Sequence, residues 1–169
     1  QPFMWWANLA VPVNDSYQFV FPKDVEFVND HDRRAVISWP VAKGVYNTAR
    51  KFDYGEGKDL SLYPNVTIQS SFLVSKGQSA MDFLSGYDHA RQAGIVTIAN
   101  HHIAPGKKLF HWGKHPFGKR WCENLTDEDG PYVELMTGVY TDNQPDFTWI
   151  MPNETKCFEQ YWYPIREIG

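Results

Sequence analysis

The sequence predicts an all-β domain, and three observations carry that prediction. Eleven prolines and twelve glycines divide the 169 residues into short pieces, which suits strands joined by turns better than helices. Aromatic residues make up 16% of the chain, with seven Trp, nine Tyr and eleven Phe, side chains that pack well on a pleated surface and bury large areas. Several segments also alternate from one residue to the next in the manner of a half-buried sheet.

Taken in order, the expected strands begin with Trp5–Val11, inside an aromatic run that starts abruptly at Phe3, and continue with Tyr17–Phe21 and Ala35–Trp39. Thr67–Val74, Gly94–Asn100 and Lys107–Trp112 form the middle of the chain, and Pro131–Met136, Phe147–Ile150 and Tyr161–Ile165 close it. Only Ser79–Ala93 offers a helical pattern, and Gly86 in its middle weakens it, because glycine disfavours helix interiors. The segments Ala42–Pro64 and Gly113–Gly130 read as long irregular connections, of the kind that carry function or cross a sheet mouth. Lys51–Asp59, polar and punctuated by glycine, fits a rim loop over a ligand groove. No repeat or linker divides the chain, so residues 1–169 read as one unit.

Composition removes several classes of function. Net charge is −4 and no basic run exceeds two residues, so nucleic acid is not the expected partner. No stretch approaches the ~20 apolar residues of a membrane span. Cys122 and Cys157 are too few for a disulfide framework and lack metal-ligand spacing, although they could pair. No nucleophile elbow, phosphate loop or dinucleotide fingerprint is present, and no cofactor is expected. Asn14, Asn65, Asn124 and Asn153 stand in Asn-x-Ser/Thr sequons, which matter only in a eukaryotic secretory setting.

Alternation assigns faces to the two most informative strands. In Pro131–Met136, Tyr132, Glu134 and Met136 point opposite to Val133 and Leu135. In Lys107–Trp112, Lys107, Leu109 and His111 lie opposite Lys108, Phe110 and Trp112. A mid-strand glutamate is costly to bury alone, so Glu134 needs a partner or a ligand. Such a carboxylate can act as a general base or bind sugar hydroxyls, and an internal ion pair would satisfy it equally well. His101, His102, His111 and His115 fall within fifteen residues, yet adjacent strand residues face opposite ways and no metal-binding signature is present. No metal site is expected; a proton donor or sugar partner among them, His102 or His111, is the preferred role. Glu26-x-x-Asn29-Asp30-His31-Asp32 reads as a solvated turn, since the glycine and closing glutamate of a calcium loop are missing. Thr141–Phe147 offers Asp142, Asn143, Gln144 and Asp146 as hydroxyl-binding groups, which ordinary turn chemistry explains as well.

The blocks Ile98–Gly113, Trp121–Gly138 (with Asp127 and Gly130-Pro131-Tyr132-Val133-Glu134), Asp142–Phe147 and Tyr161–Ile165 resemble an uncharacterised bacterial family of galactose-mutarotase-like domains, often joined to tetratricopeptide repeats. The resemblance implies a β-supersandwich of which this chain is the C-terminal part, to be completed by an N-terminal half or a partner chain. It implies that Glu134 stands where the epimerases of this fold keep a late glutamate base. Their histidine acid, in Asn-His-x-Tyr-Phe-Asn-Leu, falls on Met4 when that motif is laid on Phe3–Leu9, leaving Asn8 and Leu9 matched. Methionine cannot donate a proton, so His102 or His111 would have to substitute. The expected function is carbohydrate binding on a concave sheet face, with Glu134 beside a histidine and a tryptophan. Trp112, Tyr132, Asn8, Lys108, Asp142, Asn143 and Asp146 are the expected contacts. A glycoside hydrolase or epimerase-like enzyme using Glu134, and a non-catalytic scaffold, are the alternatives. A hydrolase would need a second carboxylate, sought among Asp82, Asp88, Asp142 and Asp146.

Overall fold

A computed structural model describes residues 1–30, 35–47, 51–141 and 147–168, with only the backbone described at 47, 51 and 52. Two antiparallel sheets carry the fold. The strands are numbered here as β1 (Trp5–Pro12), β2 (Tyr17–Val20), β3 (Phe27–Asn29), β4 (Val36–Ser38) and β5 (Ser70–Val74), then β6 (Phe83–Asp88), β7 (Ala93–Ile98), β8 (Gly106–His111), β9 (Tyr132–Val139) and β10 (Tyr161–Arg166). The six-stranded sheet runs β1-β9-β8-β5-β3-β4 and the four-stranded sheet β10-β7-β6-β2. Short antiparallel pairs flank them: Pro2–Phe3 with Thr148–Trp149, Val41–Ala42 with Lys58–Asp59, and Val45–Asn47 with Lys51–Asp53. The all-β class expected from the sequence holds.

The core lies between the two sheets. Val133 and Leu135 of β9, Leu109 of β8, and Phe72 and Val74 of β5 face Phe19 of β2 and Leu84 of β6, each at most 2% exposed. Alternation dictates this: β9 buries its odd-numbered residues and turns Tyr132 and Glu134 to the other face. Phe21, Trp39 and Phe72 continue the core as a chain of tilted aromatic pairs, with ring centroids 5.1 and 5.6 Å apart.

Three segments differ from the sequence expectation, the first being Ala42–Pro64, expected to be irregular, which carries the short strand pairs just given. Ser79–Ala93 is not helical: β6 pairs with β7 and with β2 on its other side. Gly86 is there because the Tyr17 ring lies across it, so that a Cβ would meet that ring at 2.0–2.5 Å. Gly113–Gly130, expected to be irregular, contains the only α-helix among the described residues, α1 (Pro116–Thr126). Pro116 occupies its first turn, where a missing N–H costs nothing, and the His115 side chain accepts from the Phe117 N–H. Gly118 lets α1 lie against the sheet, since a Cβ there would stand 2.1 Å from the Trp112 carbonyl oxygen.

β1 is an edge strand, paired among the described residues with β9 alone, and β10 is the corresponding edge of the smaller sheet. Cys122 is buried and Cys157 exposed, and both are free thiols. Among the described residues no helix is long and apolar enough to cross a membrane.

Candidate functional site

The outer face of the large sheet collects side chains from three neighbouring strands. Register places Ala10 opposite Glu134 and Asn8 opposite Met136 on one side of β9, with Phe110 and Lys108 opposite the same two residues on the other. Glu134 is half-buried, and each of its carboxylate oxygens is held. The Asn8 Nδ2 donates to one at 2.8 Å, and the Tyr132 hydroxyl donates to the other at 3.3 Å. The Trp112 indole N–H donates in turn to the Tyr132 oxygen at 3.0 Å. A chain Trp112–Tyr132–Glu134–Asn8 therefore crosses the sheet, and all its donors are neutral.

Lys108 stands on the same face, but its ammonium lies 3.9 Å above the Trp6 ring and not on the carboxylate. Burial lowers the Lys108 pKa, while the Glu134 charge works in the opposite direction. For Tyr132 burial raises the pKa; the Trp112 donation opposes this and the Glu134 carboxylate adds to it, so the phenol stays protonated as a donor.

A groove of about 590 Å³ opens beside Glu134. Its floor is Ala10–Pro12 of β1, its walls are Tyr132 and Glu134 of β9, and Leu125 and Thr126 of α1 with Asp129 close it. Two contacts hold the helix in place. The Thr126 hydroxyl donates to the Gly130 carbonyl at 2.8 Å, and Trp121 stacks on Trp112 at 5.2 Å with planes 9° apart.

Asn8, Lys108, Trp112, Tyr132 and Glu134 thus come together as the sequence grouped them, but the histidines do not join them. His111, expected as a proton donor, projects into the core from the opposite face of β8. It is wholly buried between Phe19 and Phe72, with neither ring nitrogen partnered among the described residues. Burial alone pushes its pKa down to about 3. An aromatic strand residue one step from a solvent-facing one must face inward, and alternation overrides its polarity. His102 is exposed in the turn after β7, its ring 4.0 Å from that of His101. The Tyr140 N–H bonds the carbonyl of Ile103 in that turn, which sets it beyond β9's far end, roughly 20 Å along the strand direction from Glu134. Among the described residues no histidine lines the groove.

Of the proposed second carboxylates, Asp88 is bound by Asn14 and Ser16 inside the smaller sheet. Asp82 holds the His101 ring at 2.7 Å and its N–H at 2.8 Å. Neither lines the groove. Asp142, Asn143 and Asp146 lie outside the described residues, as do His31 and Asp32. Lys51–Asp59, expected as a rim loop, contributes to two short strand pairs instead. Among the described residues no group of three His, Cys, Asp or Glu side chains could hold a metal ion. Sequence reading missed Trp6, Trp121, Leu125 and Asp129. Trp121 and Leu125 could have been found from Pro116 followed by Phe117, Trp121 and Leu125 at four-residue spacing, a helix-start signal with a helical stripe.

The fold and this face define an antiparallel β-sandwich with a polar, tryptophan-edged sheet surface beside a groove. The chain belongs to the family DUF5107, a domain of unknown function, whose sequence profile matches residues 1–165. It is also similar to the crystal structure of a TPR-domain containing protein from Parabacteroides distasonis, with TM-score 0.65 and 21% identity. That likeness covers 97% of this chain and 24% of the other, so the chain spans about a quarter of that protein's length. At this identity it shows a shared fold.

Proposed function

We propose that the domain binds a carbohydrate on the outer face of its large sheet, with Glu134 at the centre. The observation that carries this reading is the state of Glu134. It is a carboxylate oriented by two neutral donors, with no ion pair to it among the described residues, and it stands on the wall of a groove of about 590 Å³. A scaffold would be expected to cancel such a charge, because burying it costs free energy. A binding site retains it, because hydroxyl donors of a ligand complete its shell. Tyr132, whose hydroxyl Trp112 holds in place, supplies flat apolar surface in the groove next to those acceptors, the combination that a sugar ring with polar edges needs.

We further read the sandwich as galactose-mutarotase-like. A late glutamate on the sheet face supports that reading, and the two antiparallel sheets agree with it. Binding is favoured over turnover because neither His102 nor His111, the acids expected, lines the groove. One observation favours a second reading, glycoside hydrolysis: Asp129 lines the same groove as Glu134 and could serve as the second carboxylate.

Replacing Glu134 by Gln removes the charge and keeps the shape. On a glycan array, the variant should lose about tenfold or more in affinity for the best ligand of the parent protein, about 1.4 kcal/mol. Equal binding by both proteins would reject Glu134 as the centre of the site. Release of reducing sugar from the best ligand by the parent, abolished in the Glu134→Gln and Asp129→Asn variants, would establish the hydrolase reading instead.

A further inference from the structure

We propose that the sugar unit held at Glu134 belongs to a longer, neutral glycan whose chain continues over α1 along Leu125, Trp121 and Phe117. This rests on reading the Glu134 face as a carbohydrate site.

The helix is turned in an unusual sense. It buries Gly118 and Cys122 and presents Phe117, Trp121 and Leu125 outward at 52%, 39% and 52% exposure. A surface helix normally points such a stripe at the core, because apolar area in contact with water is unfavourable. Here the core-facing side must be small at Gly118 to clear the Trp112 carbonyl, so the bulky residues stand at the surface. An exposed apolar stripe of this kind marks a contact surface.

The stripe is continuous with the groove. Leu125 lines the groove with Glu134, and Trp121 lies flat on Trp112, whose N–H holds Tyr132 against Glu134. From Leu125 to Phe117 the stripe runs two helical turns, about 12 Å, which is longer than one sugar ring. The groove volume is that of a drug-sized ligand and exceeds a single ring's needs. Stacking on Trp112 fixes the Trp121 plane, so a ring packing on it loses little side-chain entropy. Charge sets the class of glycan. Among the described residues the groove lining carries Asp129 and Glu134 and no lysine or arginine, while Lys108 is turned onto the Trp6 ring and Arg120 of α1 is paired with Glu123, an arrangement that repels polyuronates and suits hydroxyl donors.

The test is affinity electrophoresis of the intact protein through gels containing glycogen, mixed-linkage β-glucan, galactomannan or xyloglucan, with polygalacturonate as the anionic comparison. Titration with galactose and glucose runs beside it. The expected result is retardation by at least one neutral polysaccharide, weakened about tenfold or more in Trp121→Ala and Phe117→Ser and retained in Trp121→Phe. Glu134→Gln should weaken it by about tenfold or more. Unfolding midpoints equal to the parent's establish that the exposed-site variants fold; should Trp121→Ala fail to fold, Phe117→Ser carries the test. Galactose or glucose binding that needs Glu134, is no weaker than polysaccharide binding and ignores Trp121 and Phe117 would overturn the extended site and leave the sugar reading standing. Preference for polygalacturonate would overturn the neutral class. Absence of binding to every probe would overturn the extended site together with the reading beneath it.

Discussion

His111 gives the sharpest test of the packing described above. Its imidazole is wholly buried, with its ring centroid 6.4 Å from Phe19 and 5.4 Å from Phe72, and burial holds its pKa at about 3. In the unfolded chain the same group titrates at its ordinary value of 6.5. Between those values the unfolded state carries a proton that the folded state does not, so stability falls as pH falls through that window. The slope approaches about 1.4 kcal/mol per pH unit, and the full window amounts to about 5 kcal/mol, comparable to the whole stability of a small domain. His111→Leu removes the titration and fills most of the same space. The assay is urea unfolding followed by tryptophan fluorescence, parent against variant, at about pH 8, 6, 5 and 4.5. Carboxylates titrate alike in both proteins and cancel in the comparison. The variant should gain on the parent by about 1.4 kcal/mol for each unit below pH 6, while above pH 7 the gap between them stays constant. A gap that stays the same from pH 8 to 4.5 would refute the placement of His111 in the core and reopen the proton-donor role the sequence suggested for it.

Two glycine positions extend the test to the parts that shape the groove. Gly118→Ala gains about 1 kcal/mol of helix propensity, yet its Cβ would stand 2.1 Å from the Trp112 carbonyl oxygen. The clash should win: α1 shifts outward, the unfolding free energy drops by about 1–3 kcal/mol, and the near-ultraviolet dichroism of the Trp112–Trp121 stack weakens. A stabilised Gly118→Ala protein with an unchanged spectrum would show that the helix does not touch the sheet there. Gly86→Ala would set a methyl 2.0–2.5 Å from the Tyr17 ring. The ring must move, and a loss of more than about 2 kcal/mol in urea unfolding is expected; a neutral substitution would mean that Tyr17 is not fixed across β6.

Period-two alternation is a local property, and that is why the sequence sufficed for the strand faces. Within β9, Tyr132 and Glu134 were assignable to the side opposite Val133 and Leu135, and within β8, Lys108 and Trp112 to the side opposite Leu109 and His111, from the residues alone. The same alternation should have excluded His111 as a partner of Glu134, had the relative position of the two strands been known. That position depends on register: Phe110, not His111, stands opposite Glu134. The helix was obscured for a different reason. Its apolar residues face outward and its inward side is Gly118 and Cys122, so its pattern does not look like a helix packing on a core. Asp129 carries no local signal at all, because only the placement of α1 over β9 brings it to the wall beside Glu134.

By itself, then, the sequence determined the all-β class, the two faces within each of β8 and β9, and the presence of one mid-strand carboxylate that needs partners. All of these follow from residue type and spacing along a single strand. Tertiary structure alone decided which neighbours hold Glu134, that no histidine among the described residues lines its groove, and that Trp121 and Asp129 extend its surroundings. Those outcomes depend on strand register and on how closely a helix can approach a sheet. Such approaches are fixed by contacts between residues distant in the chain, as between Gly118 and Trp112 or between Asn8 and Glu134.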